Sequence, residues 1–561
     1  MWQNICLVRA GLACTMRTYH GVPAAAAGAG VALAASLAVT GCSSASNNTA
    51  DGGDTGETLS IVSPDTGITW SLDNGFGGYE QANNLHATLV RKPYVDSAQE
   101  GAQQQDLYTY EPYLAEGYEV SEDGLTYTFT LKEAVSAAGN TLSADDVIWS
   151  FERKFNTATS VVPGVMAPSI TDPVEQIKKI DDRTVSFTIP QAGLGATFLA
   201  LMSDLCGQIF DSTLLQEHVT PEDPYAVTWT TENPNYGFGP YEVTSYTPGV
   251  QVVMQAREDW ILGKAPIETV NVQIVADPGT RANAVRNGDA QLAESITPAD
   301  SAALQDDPNV FIPEVDNPNT FLMMPLVTNK APFDNPLVRQ AMSYATPYEQ
   351  IIESVYRGLA IRQGSGFLLQ DAPGYTNEGQ PDYTYDPARS RELLAEAGFP
   401  DGVSFALAVS AADPDTREAA LQIQTAAREG GFDVQIEQMP ASQFADQRSN
   451  HTSQAFLLRD YAITLTPPYE LLVYTAQDSS NNFSDWEFEP FYDALAAGNA
   501  LPDALSDEAG QAWNVAETIY LEQSPIVFIA QVQPSVALAS NLSGFAQRSD
   551  NWIDYSNFSF E

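Results

Sequence analysis

The sequence predicts a mixed α/β body built from more than one lobe, on three observations. About 520 residues follow a leader-like N-terminus, enough for two to four domains. Residues 403–436 read as strand, helix and strand in quick succession, a parallel βαβ unit with a right-handed crossover. Residues 118–131 instead alternate about a tight turn, the mark of an antiparallel hairpin.

The leader comes first. Small apolar residues run from Ala24 to Val39, and Leu37-Ala38-Val39-Thr40-Gly41-Cys42 closes the run. At about 16 residues it falls short of the roughly 20 that span a bilayer. Ser43-Ser44-Ala45-Ser46-Asn47-Asn48 follows, with more Gly, Asp and Thr to Thr58, too polar to pack. The pattern is similar to a bacterial lipoprotein signal. It implies a signal peptide over 1–41 (start at Met16), lipidation of Cys42 and a flexible linker over 42–57. The expected place is the extracytoplasmic face of the bacterial cell membrane, held by the lipid anchor.

Composition narrows the partners. The chain carries 25 basic and 72 acidic residues, a net charge of −47. Losing 1–41 removes only Arg9 and Arg17 among the charged residues, leaving about −49. Such a surface repels nucleic acid and anionic lipid, so the acyl chains alone must hold the protein. Cys6 and Cys14 lie in the leader and Cys42 takes the lipid, so Cys206 has no partner for a disulfide. It reads as a small buried residue in an apolar segment. Beyond the leader the histidines are His86, His218 and His451, each isolated, and neither His-Glu-x-x-His nor Gly-x-Ser-x-Gly occurs. The reading is a monomeric protein that is not an enzyme, with no cofactor and no metal site.

The body follows in order. Leu125, Tyr127, Phe129 and Leu131 alternate with threonines after the turn Glu122-Asp123-Gly124. Ser143 caps a helix with Asp146 three residues on, and Val147, Ile148, Phe151 and Phe155 form its apolar face. Asp386 and Pro387 open another helix, which Gly398 stops. Asp413-Pro414 starts the helix of the βαβ unit, and Gly430-Gly431 ends it before Phe432, Val434 and Ile436 alternate.

Several blocks then stand in the order of a known family. They include Leu85-His86-Ala87-Thr88-Leu89-Val90, the stretches 112–129 and 142–153, and Gly237-Phe238-Gly239-Pro240-Tyr241. Asn329-Lys330-Ala331-Pro332-Phe333-Asp334-Asn335 and the stretch 385–400 complete the series. Together they resemble the extracellular solute-binding proteins of family 5, the dipeptide- and oligopeptide-binding lipoproteins of ABC importers. The resemblance implies a two-lobed periplasmic-binding-protein fold (type II, large peptide-binder class) with an extra subdomain inserted in lobe 1. On this chain lobe 1 takes 58–84, 185–278 and 523–561, the insertion 85–184 and lobe 2 279–522. Crossovers are expected near 270–277 and 525–530.

The implied function is capture of a peptide, or another small solute, between lobes that close about a hinge, then delivery to ABC permease and ATPase subunits. Shifting a mostly open population to mostly closed takes roughly 5 kcal/mol of differential affinity. An oligosaccharide, a metal chelate, or sensing or chaperoning without transport stand as alternatives. Family position implies ligand contacts at Asn74, Gly75, Phe76, Gly77, Gly78, Tyr236, Phe238, Asn329, Arg459, Asp460, Tyr461 and Tyr469. Tyr236 and Phe238 suit a core equally, Asn74-Gly75 a plain turn, and Arg459-Asp460 a structural ion pair. Dipeptide binders of this family hold the ligand ammonium with an aspartate shortly before an Asp-Pro pair. Here uncharged residues fill that stretch, 461–468, unless Asp460 serves by a shifted alignment. The sequence therefore predicts a preference for longer peptides or another solute.

Overall fold

Three sheets organise the computed structural model, which describes residues 57–64, 68–75, 77–362, 364–477, 479 and 481–561. The signal peptide 1–41, Cys42, the linker to 56 and Phe76 lie outside the described residues.

The first sheet has seven strands, in the order Tyr241–Thr247, Gln251–Ala256, Thr269–Ile274, Thr58–Ser63, Leu292–Ala293, Ala537–Ala539 and Val310–Phe311. Thr58–Ser63 runs parallel to both neighbours. Leu59 and Ile61 on it are fully buried against Val252, Val270 and Leu292. The second sheet has six strands, in the order Ala360–Ile361, Ile526–Val532, Phe321–Pro325, Ala455–Asp460, Val403–Ser410 and Phe432–Met439. The βαβ unit lies here: Val403–Ser410 pairs in parallel with Phe432–Met439, joined by the helix Pro414–Ala427. Asp413 caps that helix by accepting from the Thr416 amide at 3.1 Å.

The third sheet is antiparallel and four-stranded: Ala115–Val120, Thr126–Leu131, Thr184–Thr188 and Ile177–Asp181. The expected hairpin forms its first pair, turning at Gly124 with φ 73°. The capped helix is Ala144–Asn156, and Asp146 accepts from both the amide and the hydroxyl of Ser143.

Two segments cross between the first and second sheets. The chain leaves after Val310–Phe311 and enters the second sheet at Phe321–Pro325; it returns from Ile526–Val532 to Ala537–Ala539. The expected crossovers are corrected accordingly. Thr269–Ile274 lies inside the first sheet, paired along its whole length with Thr58–Ser63. The apolar run 525–530 belongs to the second sheet, where Ile526–Val532 is buried at every residue. A strand buried on both faces belongs in a sheet interior, whereas a connector must leave the sheet. The stretch 292–311 therefore sits with lobe 1, not lobe 2, and 526–532 with lobe 2, not lobe 1.

Candidate functional site

The two crossing segments are tied to each other. Gln533 on the return accepts from the Val315 amide at 2.8 Å and donates to the Val315 carbonyl at 3.0 Å. The Val532 amide donates to the Thr320 carbonyl at 2.7 Å. Beside this junction opens a cavity of about 250 Å³. Its wall draws on both lobes and the connectors: Glu80, Glu294, Asn319, Arg459, Gln533 and Trp552 all line it.

Strand register places the carboxylates. Val62 stands opposite Ala293 in parallel pairing, so Ser63 falls next to Glu294, just past the carboxyl ends of both strands. In open α/β sheets this is the end where ligands bind. The Ser63 hydroxyl donates to Glu294 Oε2 at 2.5 Å. Glu80 opens the helix Glu80–Leu85, and its Oε2 accepts from the Ile553 amide at 2.9 Å. The Oε1 atoms of both residues are buried without a hydrogen-bond partner. Burial, and secondarily the charge of Glu294, pushes the Glu80 carboxyl well above its ordinary range. Burial pushes Glu294 up to about 7.

Arg459 reaches the same cavity from the second sheet. Its Nε lies 3.1 Å from Asp413 Oδ2 and its Nη1 3.9 Å from Asp415. The residue that caps the βαβ helix thus also fixes this guanidinium. Asn319 fastens the outgoing segment, donating to the Ala462 carbonyl at 2.5 Å and to the carbonyl of Ser549.

Of the twelve predicted contacts, Arg459 alone among the described ones lines this cavity. Tyr236 and Phe238 are corrected to core positions, at 0% and 1% exposure. The Tyr236 hydroxyl donates to Ser71 and its ring lies beneath Arg153. Asn329 sits past the far end of Phe321–Pro325 from the cavity and donates to Asp485. Asn74 donates to Thr230 at 3.5 Å, and Gly75 turns the loop at φ 97°. Gly78 bridges to Ile68, with Gly77 preceding it; this loop leads directly into Glu80. Asp460 ends its strand, and burial raises its carboxyl to about 6. The electrostatic surroundings of Tyr461 include Asp460 and Tyr79, and those of Tyr469 include Asp460, Tyr461 and Asp204. None of these three residues lines the cavity. Sequence reading missed Glu80 and Glu294, which carry no motif; the pairing of Thr58–Ser63 with Leu292–Ala293 places Glu294, and the Ile553 amide holds Glu80.

The lobes touch beyond the connectors as well. The Thr197 and Thr466 hydroxyls are 2.8 Å apart, and Lys92 Nζ donates to Thr464 at 3.3 Å.

With this geometry in place, the sequence family can be decided. Residues 109–482, about two thirds of the chain, match the bacterial extracellular solute-binding proteins, family 5 (middle region). The chain belongs to that family. The family-5 chain is 33% identical over 306 residues to heme-binding protein A of Haemophilus influenzae, covering 52% of this chain and 54% of that protein. This match spans about half the relative's length. It is 28% identical over 447 residues to the dipeptide-binding protein of Escherichia coli, covering 75% and 80%. Among solved structures, the periplasmic binding protein DppA of Helicobacter pylori in complex with the peptide STSA superposes with TM-score 0.75. Identity there is 24%, and the match covers 90% of this chain and 98% of that one. The dipeptide-binding protein of a Pseudoalteromonas species with Met-Leu gives 0.72 at 20% identity, covering 90% and 100%. Both likenesses show the two-lobed fold. Family-5 proteins bind solutes for ABC transporters, and this one is a binding protein rather than an enzyme.

Proposed function

We propose that this protein is a lipid-anchored extracytoplasmic binder that captures a peptide between its lobes by hinge closure and delivers it to an ABC permease. The observation that carries this reading is the cavity at the junction of two connectors, walled by both lobes. A ligand there touches the second lobe fully only when the halves meet, so it favours the closed population. The Thr197–Thr466 and Lys92–Thr464 contacts are of the kind that closure makes and opening breaks. An extended peptide backbone suits such a cleft because it can pair with polar backbone on either side.

Small-angle scattering of the mature protein tests it. Adding a mixture of di- to hexapeptides should shrink the radius of gyration, and dialysis should restore it; an unchanged particle overturns the capture reading. A second reading, a non-peptide solute, draws on the likeness to heme-binding protein A. Hemin that contracts the particle where peptides do not would favour it.

Anchoring is tested separately. Cys42→Ser should abolish incorporation of radiolabelled palmitate and move the protein from the membrane fraction to the soluble one. Retention in the membrane fraction would refute the anchor at Cys42.

A further inference from the structure

We propose that Glu80 and Glu294 form a seat for a cationic group of the captured solute, an ammonium or a guanidinium. The proposal rests on the capture reading above and names the chemical class of its ligand.

Both side chains stand on the cavity wall, and each has one oxygen engaged by the protein and one left over. Glu80 is 7% exposed, and its Oε1 has no hydrogen-bond partner. A buried carboxylate oxygen without a partner is costly, and native interiors leave few of them. A cation entering the cavity would supply the missing donors to both residues.

The protein's own cations are committed elsewhere. Arg281, whose charge lies near Glu294, donates to the carbonyls of Val275, Ala276, Glu294 and Ser295 at 2.5–2.9 Å. Arg548 forms a two-pronged pair with Asp550 at 2.9 and 2.8 Å. Arg459, across the cavity, is held by Asp413 and Asp415. Beside Glu80 stand the charges of Asp550 and Arg548, paired with each other, and the Tyr555 phenol, which burial keeps neutral and which brings at most one donor to Glu80. No ion pair among the described residues involves Glu80 or Glu294.

A metal ion fits less well than an organic cation. Hard cations take six or more oxygens, and among the described residues no cluster of three His, Cys, Asp or Glu side chains could hold one. An ammonium brings three donors and a guanidinium five, which matches two half-used carboxylates.

Without a bound cation the seat holds protons, because burial raises both carboxyls and the charge of Glu294 further disfavours ionisation of Glu80. A bound cation favours the ionised forms. Binding of a cation should therefore release protons near neutral pH, whereas binding of a neutral solute should not.

Calorimetric titration of the mature protein with three probes tests the seat. The probes are tetra-alanine, N-acetyl-tetra-alanine, and N-acetylated Ala-Ala-Lys-Ala. A cation-bearing probe should bind about 10–100-fold tighter than N-acetyl-tetra-alanine, the range of a charged hydrogen-bonded contact. Tetra-alanine winning identifies the ligand's terminal amine as the occupant, and the lysine peptide winning identifies a side chain. Glu294→Gln and Glu80→Gln, close in shape, should each reduce that preference to within about threefold. Titration of the unaltered protein in two buffers of different ionisation enthalpy should show proton release with the cationic probe alone. Equal binding of all three probes, or a preference that survives both variants, overturns the seat and leaves capture standing. No binding by any probe, with no change in scattering, overturns both.

Discussion

Replacing Arg153 with methionine should lower the free energy of unfolding by about 3–5 kcal/mol, the usual cost of stripping one partner from a buried ion pair. Arg153 and Asp73 are both fully buried, and the guanidinium donates to the Asp73 carboxylate. It also donates to the Tyr225 carbonyl at 3.0 Å and to Thr230 at 2.9 Å, and lies against the rings of Trp149, Phe210 and Tyr236. Burial alone would raise the Asp73 carboxyl, but the charge and hydrogen bond of Arg153 outweigh it and hold the carboxyl below 3.8. That stabilisation is present above pH 3.8 and is lost as pH falls through the depressed folded value. The deficit of Arg153→Met should thus be full at pH 7 and shrink in strong acid. Urea unfolding followed by circular dichroism measures it. The double variant Asp73→Asn/Arg153→Met should cost less than Arg153→Met alone, because it leaves no bare charge. Equal costs would show that lost packing, not the orphaned aspartate, sets the effect.

Glu517→Gln should act in the opposite direction and stabilise the protein by about 3 kcal/mol at pH 8. Glu517 is 1% exposed; its Oε1 accepts from the Leu368 amide at 2.8 Å and its Oε2 from Gln380 at 3.2 Å. Burial raises its carboxyl from 4.5 to about 7. Between those values the folded chain keeps a proton that the unfolded chain has released. Stability from this group is therefore greatest below pH 4.5 and falls as pH rises through 7. Glutamine resembles the protonated form, so the variant should equal the parent at pH 4 and exceed it at pH 8. Glu294 and Asp460 slope the same way, whereas His86, lowered to about 3 by burial, slopes against them. The difference between variant and parent isolates Glu517 from all three. A difference that does not change with pH would show that Glu517 is already ionised in the folded protein.

Local chemistry was legible in this chain and long-range assembly was not. The hairpin at Gly124, the Ser143–Asp146 capping box and the βαβ unit opened by Asp413 follow from periodicity and caps within a dozen residues. The apolar run 525–530 announced a strand buried on both faces but not the sheet that owns it, which is how a central strand of lobe 2 was read as a connector. Tyr236 and Phe238 show the same limit, since an aromatic beside glycine suits a pocket or a core equally. Glu80 and Glu294 are more than 200 residues apart, and the pairing of Thr58–Ser63 with Leu292–Ala293 and the hold of Ile553 on Glu80, both long-range, bring them together. Arg459 was readable as a charge in an apolar run, but its partners Asp413 and Asp415 come from the neighbouring βα turn.

The grip of Gln533 on both backbone groups of Val315 rivets the two connectors at a rung beside the Val532–Thr320 bond. Sliding one half along the other would tear that rung, whereas swinging about it leaves the rivet intact. On the capture reading proposed above, motion between the halves would reduce to one angle, and a guest of any length would report its size to the outside as the width of a single mouth.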